Sequence, residues 1–231
     1  MTKNIKMLIR RAAGVFCLGG MMLSAGLFTS CTEKDNTVEE FTNWQSKNET
    51  YWNKLYTATQ QKIKSGDTSW KIILNYTFQN QKQTSGSVLT YSPEDYIIAH
   101  VEQAGAGTAS PLYSDSVSMH YMGRLIPSTT YTAGLIFDKS WSSNTFNAAT
   151  SRPNHSYIGL SYDSKGKPIS LVDGFTTALM SMHRGDHWTL YIPYQLGYGA
   201  SASGMVPAYS TLIFDLRLVD FSHPGTKLKD S

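Results

Sequence analysis

Six histidines, at positions 100, 120, 155, 183, 187 and 223, are the first candidates for chemistry. Metal sites need ligands at fixed short spacings, and none of these falls in an HExxH or cysteine-paired pattern. His183 and His187 stand four apart, but Gly185 lies between them and reads as a helix end. The stretch GYGAS, 197–201, lacks the lysine and the strand-to-helix setting of a phosphate loop. No GxSxG marks a serine nucleophile. Asp138, Asp173, Asp186 and Asp215 could pair for glycoside hydrolysis. Each sits beside apolar residues or at an element end, where a cap or turn role is the simpler reading. No metal and no cofactor is expected.

What recurs instead is aromatic. Tyr121, Phe137 beside Asp138, Phe175, Tyr198 within YIPYQLGYGA (191–200), and Phe214 are spread over the second half of the chain. Brought together, they would enclose an apolar cavity edged by a few hydroxyls, the usual form of a small-ligand site. Taken singly, each is as well explained as a core residue, Phe137 and Phe214 above all.

Bringing them together requires a sheet wrapped over a helix. Val117, Met119 and Tyr121 alternate with Ser118 and His120. Trp188, Leu190 and Ile192 alternate in the same way, as do Leu212, Phe214, Leu216 and Leu218. Period two places one set on the core face of an antiparallel sheet. Tyr96 to Val101 is rich in strand formers. Val172, Phe175, Leu179 and Met182 recur at helical spacing, with Gly185 as the expected C-cap. The fold class is therefore α+β, an antiparallel sheet wrapped over one short helix. Ahead of it, Trp44–Lys64 reads as a helix, with Ser46 and Glu49 as a capping box and Gly66 as the stop. Trp52, Leu55, Tyr56 and Ile63 mark its apolar spacing. Trp70, Ile72, Leu74, Tyr76 and Phe78 alternate as a strand, and QNQKQTSGS, 79–87, reads as a loop.

The 231-residue chain opens with Lys3, Lys6, Arg10 and Arg11, then an almost wholly apolar run from Ala12 to Phe28. This is the pattern of a secretory signal. The run is short for a spanning helix, which needs roughly 20 apolar residues. Its end, LFTSC, resembles a bacterial lipobox with Cys31 as the lipidated residue; an ordinary cleavage site or an anchor helix is the alternative. Cys17 is the other cysteine, so the chain from residue 31 has no disulfide partner. The formal charge of +3 less the four leader cations leaves −1, which gives no basic stripe for nucleic acid. The expected organisation is a signal at 1–30, a tether at 31–42, an α+β extension at 43–92, a main domain at 93–223 and a tail at 224–231. The extension reads as a packing accessory.

The motif order resembles the FKBP-type peptidyl-prolyl isomerases: VSMHYMGRL (117–125), IFDKSW (136–141), LVDGF (171–175), ALMSMHRGDHW (178–188), YIPYQLGYGA (191–200) and VPAYSTLIFDLRL (206–218). With the leader, the whole resembles the lipoprotein FKBPs of Bacteroidetes. The resemblance implies an isomerase acting on proline-containing polypeptides, assisting the folding of exported or envelope proteins, and anchored to a membrane through Cys31. The alternative is a non-catalytic proline-binding module. The resemblance also implies catalytic roles for Tyr121, Asp138 and Tyr198. It implies substrate contacts by Phe137, Leu171, Val172, Phe175, Val206, Tyr209 and Phe214. Phe175 stands where the family has a tryptophan. The loop from Lys139 to Ser170 is longer than usual, and Phe146 and Tyr157 are both candidates to line the site from it. Met205 is expected at the rim.

Overall fold

The computed structural model describes residues 39–79, 81–82 and 88–228, which fall in one compact unit. The basic leader, Cys31, most of the tether and most of the polar segment at 79–87 lie outside these residues.

Helix α1 spans Trp44–Lys64, and its buried residues are Trp44, Asn48, Trp52 and Thr59. The inward stripe is thus half polar. Ser46 does not cap this helix, because Trp44 is already helical and buried two residues earlier. Asn43 is the N-cap, in the left-handed conformation at φ 54°. Glu49 accepts instead from the Gln45 side chain at 2.9 Å. Gly66, at φ 93°, ends the helix as expected, donating to the Ile63 carbonyl at 3.0 Å.

Strand β1 (Trp70–Leu74) is shorter than its alternation suggests. Asn75 ends it: its buried side chain accepts from the Thr177 hydroxyl at 3.0 Å, and its N–H donates to the Asp95 carbonyl at 2.9 Å. Tyr76–Gln79 then close a single helical turn, α2. A buried asparagine bonded to distant parts of the chain overrides the strand pattern of Tyr76 and Phe78.

The chain continues as β2 (Tyr96–Gln103), β3 (Ser116–Leu125), β4 (Ile136–Lys139) and β5 (Asn154–Tyr157). A small hairpin follows, β6 (Ser161–Tyr162) with β7 (Pro168–Ile169), then helix α3 (Asp173–Leu179), β8 (His187–Ile192) and β9 (Leu212–Ser222). The main sheet is antiparallel in the order β1-β2-β8-β9-β3-β4. Its ladder crosses the boundary expected near residue 92, because β1 pairs with β2. β3 divides its outer edge: residues 116–119 pair with β5, and 122–124 with β4.

Helix α3 packs on the sheet with every residue after Asp173 buried. It ends at Leu179, with Met180 as C-cap, and does not reach Gly185. The Asp186 carboxylate accepts from the His183 N–H at 2.8 Å and the Gly105 N–H at 2.6 Å, which ties residues 183–186 into a separate turn. β3 is buried on both faces. Ser118 and His120, expected outside, are covered too, and Phe146 lies edge-on to His120 at 4.8 Å. Trp141 and the Arg217 guanidinium close over the same ring, at 5.2 Å and 4.3 Å.

Candidate active site

The site forms where β3 changes partners. Tyr121 lies between the two pairings, and its backbone bonds reach neither strand. Its N–H donates to the Ser140 hydroxyl at 3.0 Å, and its carbonyl accepts from the Ser140 N–H at 2.9 Å. The ring is left pointing into a hollow of about 150 Å³. β4 supplies Phe137 and Asp138, and α3 supplies Phe175. Leu171 and Val172 come from the link before α3, Tyr198 from the loop after β8, and Phe214 from β9.

Phe214 is the hub of the rings. It meets Phe175, Phe137 and Tyr121 edge-on at 4.9, 5.6 and 6.3 Å. Tyr121 also meets Phe175 edge-on at 6.1 Å. Such offsets put positive ring edges on negative faces. Gly123 makes the arrangement possible. A Cβ there would lie 2.5 Å from Phe137 Cζ and 2.7 Å from Phe214 Cε1.

The polar groups stand at the edge. Tyr121 donates its phenol proton to Asp138 Oδ2 at 2.8 Å. Burial, then the hydrogen bond and charge of Asp138, hold that phenol far above its ordinary range. Burial and the Asp138 charge also raise Tyr198, against the opposing pull of the Ser203 hydroxyl. Both phenols therefore stay protonated at neutral pH. A second hollow opens beside the first, sharing Ser170, Leu171, Val172 and Tyr198 and adding Asp173 and Gln195.

Tyr121, Phe137, Asp138, Leu171, Val172, Phe175, Tyr198 and Phe214 thus meet around one space. Val206 and Tyr209 do not line it. Val206 is buried, with a β-bridge to Ser203, and Tyr209 turns away against Tyr194 at 5.3 Å. From the long loop, neither Phe146 nor Tyr157 lines the hollow: Phe146 covers His120 on the sheet's other face, and Tyr157 is exposed. Asn154 is there instead, with Ser170 and Met119. Met119 was foreshadowed by its two-residue spacing from Tyr121. Asn154 carried no signal, because its place depends on a β5 pairing that the loop sequence does not announce. Met205 is 58% exposed and outside the lining. Among the described residues no three His, Cys, Asp or Glu side chains converge as a metal site requires.

Comparison with known proteins finds a family whose pattern this part of the chain matches. Residues 107–219 match the family described as FKBP-type peptidyl-prolyl cis-trans isomerase. These residues are similar to an FKBP-type domain. The macrophage infectivity potentiator of Trypanosoma cruzi is 34% identical over 122 residues, which cover 52% of this chain and 50% of that protein. FkpA of Escherichia coli, an FKBP-type peptidyl-prolyl cis-trans isomerase, is 30% identical over 129 residues, 54% of this chain and 37% of its own. The chain spans half or less of the length of these curated relatives. A crystal structure of a peptidyl-prolyl cis-trans isomerase from Pseudomonas syringae pv. tomato is 27% identical with a TM-score of 0.40, over 55% of this chain and 76% of that one. The sheet is antiparallel, as expected, with α3 against it. The matched residues begin after β2, so α1, β1 and β2 all precede them.

Proposed function

We propose that this chain is a peptidyl-prolyl cis-trans isomerase that assists the folding of exported or envelope proteins. The observation that carries the reading is the ring-walled hollow on which Tyr121, Asp138, Phe175, Tyr198 and Phe214 converge. An X–Pro bond turns over a barrier of roughly 18–20 kcal/mol because amide resonance must break. Uncatalysed, this takes tens of seconds or more. At the twisted transition state the carbonyl oxygen loses negative charge and the amide becomes less polar. A slot walled by Phe175 and Phe214 therefore disfavours the planar ground state more than the twisted one. That difference lowers the barrier. Tyr198 holds a substrate carbonyl with its neutral hydroxyl. Asp138 fixes the Tyr121 ring, and the peptide runs on past Leu171 and Val172 into the neighbouring hollow. No proton is transferred.

The leader, ending in LFTSC, supports a lipid on Cys31 and a place in the cell envelope, on either side of the outer membrane. With the domain behind it, this fits the Bacteroidetes lipoprotein group. Cleavage by a lipoprotein signal peptidase and mass spectrometry of the N-terminal residue test that part.

The activity is tested on a protein whose refolding is limited by proline isomerisation. Substoichiometric amounts of the chain accelerate the slow phase, and Tyr198→Phe with Asp138→Leu loses most of the effect. Binding to a proline peptide with no acceleration would instead mark a binding module. That outcome would trace to Phe175, which lacks the indole N–H of the family's tryptophan.

A further inference from the structure

α1 stands outside the matched domain, yet it grips the segment that carries the rim of the hollow. The Trp44 indole N–H donates to the Ser210 hydroxyl at 2.7 Å. One turn on, Asn48 Oδ1 accepts from the Thr211 backbone N–H at 2.7 Å, while Asn48 Nδ2 donates back to the Trp44 carbonyl at 2.8 Å. Asn48 is fully buried, so this is a costly group to leave unpaired. At the next position, Glu49 Oε1 accepts from the Tyr194 hydroxyl at 3.4 Å. The seam between α1 and the Tyr194 turn holds only about 10 Å³ of free space.

These contacts lead to the turn that carries Tyr198. Tyr194 packs edge-on against Tyr209 at 5.3 Å, and the Tyr209 N–H donates to the Gly199 carbonyl at 2.8 Å. The Gly199 N–H in turn donates to the Tyr194 carbonyl at 2.8 Å. Tyr209 holds φ 62° and Gly199 φ 65°. The left-handed region suits a glycine, but a tyrosine stays there only when its surroundings hold it. Trp44, Asn48 and Glu49 provide that hold on either side of Tyr209, at Ser210, Thr211 and Tyr194.

We infer that α1 is a positioning element for the isomerase site. Through Asn48 and Trp44 it preorganises the 194–211 rim, so that Tyr198 meets the substrate already placed. This rests on the proposed isomerase activity and gives the extension a task within it. Ordering the rim before the peptide arrives removes an entropy cost from binding. Its loss is therefore read first in KM.

The experiment compares the full chain with Asn48→Ala and with Trp44→Phe, the latter keeping an aromatic ring while deleting the N–H donor and part of the indole. Amide hydrogen exchange across 194–211 is followed together with kcat and KM for a proline peptide. Exchange at Gly199, Tyr209 and Thr211 accelerates tenfold or more in both variants while β3 and β9 amides stay protected. KM rises about fivefold with kcat within a factor of two. Trp44→Phe keeps an aromatic side chain in the core, and the protected β3 and β9 amides guard against simple unfolding. Unchanged rim exchange, or faster rim exchange with an unchanged KM, overturns the inference. A wild-type chain without isomerase activity overturns the function proposed for the site. The exchange measurement and the peptide's dissociation constant then still decide whether α1 orders the rim for binding.

Discussion

Tyr121 and Asp138, on neighbouring antiparallel strands, are joined by a 2.8 Å hydrogen bond from phenol to carboxylate. The bond sits at the mouth of a ring-lined hollow and fixes the orientation of a wall residue rather than creating a base. Removing it should therefore weaken catalysis without abolishing binding. Tyr121→Phe and Asp138→Leu are each expected to lower kcat/KM about tenfold, which corresponds to ~1.4 kcal/mol of transition-state stabilisation. The double variant should fall little further, since both delete one interaction. A peptide assay on the four proteins of this cycle checks it, and additive losses would refute it.

Activity should not follow a phenol titration near neutrality. Tyr121 and Tyr198 are both raised above the ordinary 10.0, Tyr121 chiefly by burial and then by Asp138. The rate is expected to be flat from about pH 6 to about pH 9, because both donors keep their protons there. A kcat/KM profile with a break near neutral pH would contradict this.

Stability should respond to alkali instead. Burial raises Tyr51 from 10.0 to about 12, and burial with the Asp173 charge raises Tyr76 from 10.0 to about 12. A tyrosine raised in the folded state contributes fully below its unfolded pKa. Its contribution is lost as pH climbs from 10.0 toward about 12, where the unfolded chain ionises first. Denaturant midpoints measured across that window should decline, and Tyr51→Phe should flatten the decline.

Gly123 should tolerate no side chain. A methyl there meets Phe137 and Phe214 at 2.5 and 2.7 Å; the two rings already meet edge-on, and Phe214 is also held by Phe175. Gly123→Ala is expected to cost roughly 1–3 kcal/mol by overpacking, and to lower activity as the two rings part. Thermal unfolding and the peptide assay measure the two effects. A variant as stable and active as wild type would show that the rings have more room than their contacts imply.

Phe214 should matter more than any other wall residue. It is 6% exposed and packs edge-on against three rings of the site. Phe214→Ala is expected to cost about 3–5 kcal/mol. Phe214→Leu should keep the fold and lose affinity for the proline peptide, as seen by calorimetry.

The site was legible where side-chain period and motif agree. Tyr121 and Phe214 lie on strands whose alternation assigns the inward face, and Phe175 lies on the short helix they cover. Three features were hidden for physical reasons. Asn75 ends β1 by a bond to Thr177, far away in sequence, so the run to Phe78 looked like strand. Asn154 reaches the hollow through the pairing of β5 with β3. The grip of α1 on the rim depends on Asn48, a buried polar residue on a face that hydrophobic spacing ignores. Tyr209 and Val206 shared a motif with Phe214 but not its register, and they face elsewhere.

The central claim is that one hollow receives a proline and lowers its barrier. The most direct measurement is two-dimensional exchange spectroscopy of a proline peptide with a catalytic amount of the full chain. Exchange peaks linking the cis and trans signals should appear within a second, and Tyr198→Phe should diminish them. Signals that shift on binding but show no exchange between the isomers would contradict the account.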